Sequence, residues 1–240
     1  MEYLKLILAA LTWPKLSVTS FKMISDLARQ GILPKTVIDV GANVGQFAVA
    51  SAKLFPGVIV HSFEPNPDCV AALQRHVSSL GNVSVYPLAL GDEEGEVTFH
   101  VNSHSHSSSI LPLAKNHLGA FPEAREVGTI QVKVSTLDNV FASADLPPPV
   151  LLKLDVQGYE AQALRGAVET LKRVDYVVLE ASFKPMYEGE LLFMEIVRMM
   201  EGYGFNFLRP VGLLRDPNTR EIIQMDALFQ RNAESAGSLL

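Results

Sequence analysis

The chain predicts an α/β fold built on a doubly wound, mostly parallel sheet, and three observations carry that expectation. Short runs rich in Val, Ile and Leu recur at residues 36–40, 58–63, 83–90, 150–155 and 176–180. Between most of them lie segments whose apolar residues recur at helical spacing, the alternation of βαβ units. The first run ends in a glycine turn, Gly41-Ala-Asn-Val-Gly45, that leads directly into such a segment.

In chain order, residues 17–30 place Val18, Phe21, Ile24, Leu27 and Ala28 on one helical face, with Gly31 as the stop. This predicts a helix covering the sheet. Val37, Ile38 and Val40 give the first strand its β-branched bulk, while Gly41 and Gly45 suit a sharp turn and close approach of a ligand. A helix is expected over residues 43–55, ended by Pro56-Gly57. After the second strand, Asn66 can cap a helix that begins at Pro67 and runs to residue 80. Residues 83–90 read as one strand. Residues 96–101 and 129–134 instead alternate apolar and polar side chains, the pattern of a half-exposed antiparallel pair, and Asn102-Ser-His-Ser-His-Ser-Ser-Ser109 between them reads as a loop able to cover a site. A short helix is expected over 137–141, one continuous helix over 159–172, a longer one over 190–203, and closing strands at 205–208 and 225–229. The expected organisation is a helical segment 1–34, one domain 35–230 with the strand-pair insertion at about 95–137, and a frayed tail 231–240.

The formal charge of −6 and the lack of a basic run exclude a nucleic-acid partner. One cysteine, Cys69, excludes an internal disulfide and suits a reducing cytoplasm. Residues 3–11 are apolar but too few to span a bilayer. They read first as a packing or homo-oligomer segment and second as a membrane-surface attachment.

Carboxyl ends of parallel strands face the ligand crevice, and Gly41, Glu64, Gly91, Asp155 and Glu180 all fall there. Glu64, 23 residues beyond Gly41, is placed to accept both hydroxyls of a ribose. A dinucleotide site would favour glycines where this chain has Asn43 and Gln46, so a pyrophosphate is disfavoured. S-adenosylmethionine, which has no phosphate, suits the turn better, with Asp39 and Asn43 near its amino-acid end. An NAD-dependent oxidoreductase stays as an alternative, as does a cofactor-binding scaffold without catalysis.

The motif series Val37-Ile-Asp-Val-Gly-Ala-Asn-Val-Gly-Gln46, Phe63-Glu-Pro-Asn66, Ala89-Leu-Gly-Asp92, Ser107-Ser-Ser109, Thr136-Leu-Asp138, Leu152-Lys-Leu-Asp-Val-Gln-Gly-Tyr-Glu160 and Leu179-Glu180 resembles the FkbM family of S-adenosylmethionine-dependent methyltransferases over about residues 35–208. The resemblance implies the class I methyltransferase sheet, Rossmann-like with an antiparallel last strand, and methyl transfer to a hydroxyl of a sugar or glycan, lipid-linked sugar or secondary metabolite. It places Asp39, Gly41, Ala42, Asn43 and Gly45 around the methionine end, Glu64 with Pro65 and Asn66 at the ribose, and Ala89 and Leu90 at the adenine. Gln157 stands where the family motif usually carries an acid. Asp155 is the first candidate for base or acceptor-orienting group, and His104 and His106 on the loop are the second. Ser108, Ser109, Glu160 and Glu180 complete the expected acceptor side. Each has a plainer reading: Asp39 as a brace of the turn, Glu64 as a helix-start acid, Asp155 as a structural carboxylate, Glu160 as a solvated or helix-start charge, the histidines as loop residues. No metal is expected, because His104, His106, Asp155 and Glu180 lack tight ligand spacing. A serine hydrolase is excluded by the absence of Gly-x-Ser-x-Gly at any strand-to-helix turn.

Overall fold

The strand that leads into the glycine turn, β1 (Thr36–Val40), is buried at every position, as a strand with helices on both faces must be. In the computed structural model, which describes residues 17–232, β1 pairs in parallel with β2 (Ile59–Phe63) and with β7 (Val150–Leu154). β3 (Val83–Tyr86) extends the parallel set beyond β2, and β8 (Tyr176–Ser182) extends it beyond β7. β10 (Ile222–Arg231) enters antiparallel to β8, and β9 (Phe205–Arg215) closes the edge, giving the order β3-β2-β1-β7-β8-β10-β9. This is the class I methyltransferase arrangement, α/β with the last strand of the chain, β10, running antiparallel between β8 and the edge strand β9. The strand order reverses between β1 and β7, which is where such sheets bind ligands. The segment 3–11 and residues 233–240 of the expected tail lie outside the described residues.

One face of the sheet is covered by α1 (Val18–Arg29), α2 (Gln46–Leu54) and α3 (Pro67–Val77). Ser17 caps α1 by accepting from Ser20 N at 3.2 Å, and Phe21, Ile24 and Leu27 disappear into the core with Val37, Leu151, Val178 and Leu228 of the sheet. Each such side chain contributes roughly 1.5–3 kcal/mol of burial, so the helix is fixed by packing. Asn66 caps α3 through Asp68 N at 3.0 Å, and Cys69 is buried on this helix. After a short α4 (Lys115–Ala120), the opposite face is covered by α5 (Leu137–Val140), α6 (Glu160–Arg165), α7 (Val168–Leu171) and α8 (Phe193–Gly202). Among the described residues no helix is long and apolar enough to cross a membrane.

Five elements differ from expectation, each for a local reason. The strand read over 83–90 is two strands: Pro87 has no N–H to continue a ladder, Leu88 N turns back to Tyr86 O at 3.0 Å, and Ala89–Leu90, β4, joins a second sheet. There β4 runs parallel to β6 (Glu126–Ser135), which is antiparallel to β5 (Gly95–Asn102). The helix read over 159–172 breaks into α6 and α7 at Gly166, where a Cβ would stand 1.9 Å from Gly91 O. α8 starts at Phe193 because Glu190 is engaged elsewhere, accepting from Tyr187 N at 3.0 Å and Ser182 Oγ at 2.8 Å. β9 and β10 are longer than the closing strands expected, because they pair with one another around the turn at Asp216.

Candidate active site

The chain leaves β1 through Gly41, whose φ is +78° and whose N–H donates to Phe63 O at 3.0 Å. A Cβ on Gly41 would lie 1.9 Å from Asp155 O, and one on Gly45 (φ +97°) would lie 2.6 Å from Leu73 Cδ1. On the side a Cβ would occupy, these glycines are packed by Asp155 at the end of β7 and by Leu73 of α3, while Gly41 also lines the crevice. Ala42 is buried within the turn. Asn43, at φ +49°, turns its own Oδ1 onto Val44 N at 2.7 Å.

The N–H of Asn43 donates to Glu64 Oε2 at 2.8 Å, and that of Asn66 donates to Oε1 at 2.9 Å. Glu64 is only 6% exposed, and burial pushes its carboxyl up to about 7 against the pull of the Asn66 and Asn43 amides. It stands in the wall of an open crevice, with Pro65 and Asn66 beside it. One end of the crevice is apolar, formed by Leu88, Ala89 and Leu90 with Phe99 and Ile110 from the small sheet and its loop; the other is polar, formed by Gly41, Asn43, His106 and Asp155. Phe99 and Ile110 escaped sequence reasoning because only the folding back of the insertion brings them to the sheet edge.

Asp155 lies at the polar end with about a third of its side chain exposed. Lys153 Nζ donates to its Oδ2 at 3.0 Å, and Gln157 Nε2 to its Oδ1 at 2.6 Å. Burial acts to raise its pKa, but the Lys153 charge and these two hydrogen bonds prevail and hold it below the usual carboxylate range. Gln157 Nε2 also reaches Glu180 Oε2 at 2.8 Å, and the Tyr187 hydroxyl donates to Gln157 Oε1. Glu180 is pushed well above the ordinary range by burial and then by the Asp155 charge. Gln157, the departure from the acidic motif, is thus an amide clamp between two carboxylates.

Several expected site residues stand back from the crevice. Asp39 is completely buried, 3.7 Å from Lys153 Nζ, and is pushed up to about 6 chiefly by burial; it braces the strand ends beneath the turn. Glu160, expected as a solvated or helix-start charge or an acceptor contact, does begin a helix but is only 4% exposed, and it accepts from Val156 N at 3.0 Å, so it holds the turn after β7. Glu180 is tied to Gln157 and is absent from the crevice wall. Ser109 is buried, its hydroxyl donating to Gln157 O at 2.7 Å, and Ser108, which lines the crevice, accepts from Asn102 N at 3.0 Å. Ser109 pins the loop to the turn after β7, and Ser108 ties it to the end of β5.

The loop itself forms a turn of 3₁₀ helix at Ser105–Ser107 above the crevice mouth. Ser105 Oγ and Asn43 Oδ1 are 3.3 Å apart, and His106 Nε2 is 3.4 Å from Gln46 Nε2. His104 is exposed and points into no cavity wall, whereas His106 lines the crevice. Lys153 was legible in principle: a lysine inside a wholly buried strand, as β7 is, requires carboxylate partners.

Comparison with known proteins agrees with this geometry. The chain is 28% identical over 173 residues to a 2-O-methyltransferase, NoeI, of Sinorhizobium fredii, covering 70% of this chain and 71% of the relative. It is 31% identical over 145 residues to a hexuronic acid methyltransferase, AglP, of Haloferax volcanii (59% and 54% covered), and 29% over 193 residues to the 31-O-demethyl-FK506 methyltransferase FkbM of Streptomyces tacrolimicus (70% and 72%). Among solved structures, a Pyrococcus horikoshii protein assigned as an RNA methyltransferase superposes with a TM-score of 0.50 at 12% identity, over 89% of this chain and 83% of that one, a likeness of fold alone. Residues 39–207 match the family model described as the methyltransferase FkbM domain, a span that runs from the buried Asp39 through the crevice and β8 into β9, and the chain accordingly belongs to the FkbM methyltransferase family.

Proposed function

We propose that this methyltransferase uses S-adenosylmethionine and methylates a hydroxyl of a sugar, glycan or secondary metabolite. The observation that carries the reading is Glu64. Its carboxylate is oriented by two backbone N–H groups, yet a carboxylate has about four acceptor positions, so two remain for the vicinal hydroxyls of a ribose. The apolar end of the crevice suits an adenine, and Asn43, His106 and Asp155 offer polar partners to an ammonium and a carboxylate at the other end. The residues fit this cofactor better than a dinucleotide, because Asn43 and Gln46 stand where a pyrophosphate site favours glycines.

When bound, S-adenosylmethionine supplies a methyl group activated by its sulfonium sulfur. The protein's own contribution at that end is positioning, which can supply much of the acceleration of a bimolecular transfer. Asp155, held below the usual carboxylate range, is ionised at neutral pH and is a weak base but a strong hydrogen-bond acceptor. Its proposed role is to orient the acceptor hydroxyl, with His106 at the mouth to take up the released proton. Hydroxyl acceptors are favoured by the three relatives' named activities. A reducing, cytoplasmic setting belongs to the same reading, supported by the single buried thiol Cys69.

Calorimetry with S-adenosylhomocysteine, followed by transfer of labelled methyl groups to a panel of glycosides and hydroxylated polyketides, tests the proposal. Binding and transfer are expected. Binding of NAD(H) without S-adenosylhomocysteine would overturn it.

A further inference from the structure

A second cleft of about 590 Å³ adjoins the crevice, and Gly41, Asn43, His106 and Asp155 line both. Its outer wall is the first turn of α1, with Ser17 and Ser20; Met23 and Phe47 give it apolar surface; its sheet side is Lys153 and Asp226. Alternation along the strands explains the polar side. On the face that buries Val37, Leu151, Val178 and Leu228, the same parity places Asp39, Lys153, Glu180 and Asp226 two residues away, nearer the crevice, and β pairing sets Asp39 beside Lys153 and Asp226 beside Glu180.

The one ammonium in this row is already engaged. Lys153 Nζ lies 3.0 Å from Asp155 Oδ2 and 3.7 Å from Asp39 Oδ1. Asp226 differs: among the described residues nothing donates a hydrogen bond to its carboxylate, which sits where Gly212 leaves room, 2.0 Å from the point a Cβ there would occupy. The cleft therefore offers two carboxylates, Asp155 and Asp226, whose charge one buried lysine does not balance.

We propose that this cleft is the acceptor subsite and that Asp226, with Asp155, selects an uncharged polyhydroxyl acceptor over one bearing a carboxylate or phosphate. The inference rests on the methyl-transfer reading and extends it to substrate class. Hydroxyl groups donate well to carboxylates. An anionic group would meet Asp155 and Asp226 as like charges, a juxtaposition that costs affinity. Entry beside Gly41 and Asn43 would bring the acceptor to the polar end of the crevice, next to Asp155.

The test uses the full chain saturated with S-adenosylhomocysteine and labelled with ¹³C at methionine methyls, the Met23 signal being assigned with Met23→Leu. Methyl α-D-glucopyranoside and its uronic acid counterpart, methyl α-D-glucopyranosiduronic acid, are titrated separately. The neutral glycoside should shift the Met23 signal and bind about tenfold or more tighter than the uronide, a difference on the order of one unfavourable charge contact. Asp226→Asn should narrow that ratio at least about threefold while S-adenosylhomocysteine affinity stays within about twofold. Should that variant fail to fold, Ser20→Phe, which fills the cleft from the α1 side, should abolish the Met23 response and retain S-adenosylhomocysteine binding. A uronide that binds as tightly as the neutral sugar, a Met23 signal indifferent to both, or a ratio unchanged in Asp226→Asn overturns the proposal. Loss of S-adenosylhomocysteine binding in the unsubstituted protein strikes the methyl-transfer reading itself, so the two failures are separable.

Discussion

Gln157→Glu changes one side-chain atom and should convert a neutral clamp into a third acid. The present amide donates to Asp155 Oδ1 at 2.6 Å and to Glu180 Oε2 at 2.8 Å. An ionised carboxylate in its place would face the Asp155 charge at nearly the same separation, a repulsion of about 6 kcal/mol at an effective dielectric of 20. Remaining protonated is the cheaper course. Holding a carboxyl neutral above its unfolded pKa costs about 1.4 kcal/mol per pH unit, hence about 5 kcal/mol at pH 8 and about 2 kcal/mol at pH 6. The folded-state pKa of the new group is raised, so the destabilisation is largest at high pH and fades as pH falls. Urea denaturation of both proteins at pH 6, 7 and 8 should show a stability gap that widens by about 3 kcal/mol across that range. A gap independent of pH, or none, would refute the clamp.

Glu64, pushed up to about 7 by burial, should make S-adenosylhomocysteine binding tighten from pH 6 to pH 8 with proton release, because ribose hydroxyls favour the ionised form. Glu64→Gln should flatten that dependence and weaken binding about tenfold; calorimetry in buffers of different ionisation heat measures both, and a flat profile for the unsubstituted protein removes Glu64 from the ribose. Gly45→Ala must fit a Cβ 2.6 Å from Leu73 Cδ1 at φ +97°, a clash and strain together worth about 2–3 kcal/mol. An unaltered midpoint in thermal unfolding would contradict it. Lys153→Met leaves Asp39 and Asp155 without their cation, and should cost about 3–5 kcal/mol at pH 8, with relief near pH 5.5 as Asp39, already raised to about 6, protonates. Equal losses at both pH values would show that the lysine acts through packing alone.

Strand positions and the crevice edge were legible because burial on both faces demands unbroken apolar runs, and turns demand glycine, proline or a capping side chain. That logic finds β1, β2, β7 and β8, the cap at Asn66, and Glu64 at its strand end. It fails where long-range packing decides. Nothing local announces that Gly166 must admit Gly91 O and so break a helix, or that Ala89–Leu90 belongs to another sheet. The glycines of the turn have a second reason that sequence alone does not show, since a Cβ on either would strike Asp155 O or Leu73. Glu160 is a helix-start acid, as its position suggests, but it is not solvated; only the tight turn after β7 shows that its carboxylate is spent on Val156 N. Asp226 lay far along the chain from every motif, and only the antiparallel entry of β10 beside β8 brings it to the cleft.

The acidic floor also constrains the chemistry. Asp39, Asp155, Glu160, Glu180 and Asp226 surround a single buried ammonium, and each avoids isolation differently: Asp39 and Asp155 by Lys153, Glu160 and Glu180 by raised pKa values, Asp226 by partial exposure. A general base matched to neutral pH would need a carboxyl that is raised and also reaches the cleft. Asp155 reaches it but is held low, whereas Glu160 and Glu180 are raised but stand behind the wall. Asp226 alone satisfies both conditions, lining the cleft with a carboxyl pushed up to about 6, chiefly by burial and then by Asp155. If Asp226 took the proton as well as selecting the acceptor, Asp226→Asn would lower kcat in addition to raising KM and would remove an ionisation near pH 6 from the kcat profile; an unchanged kcat profile would leave selection as its whole contribution and transfer the proton's exit to His106 and solvent.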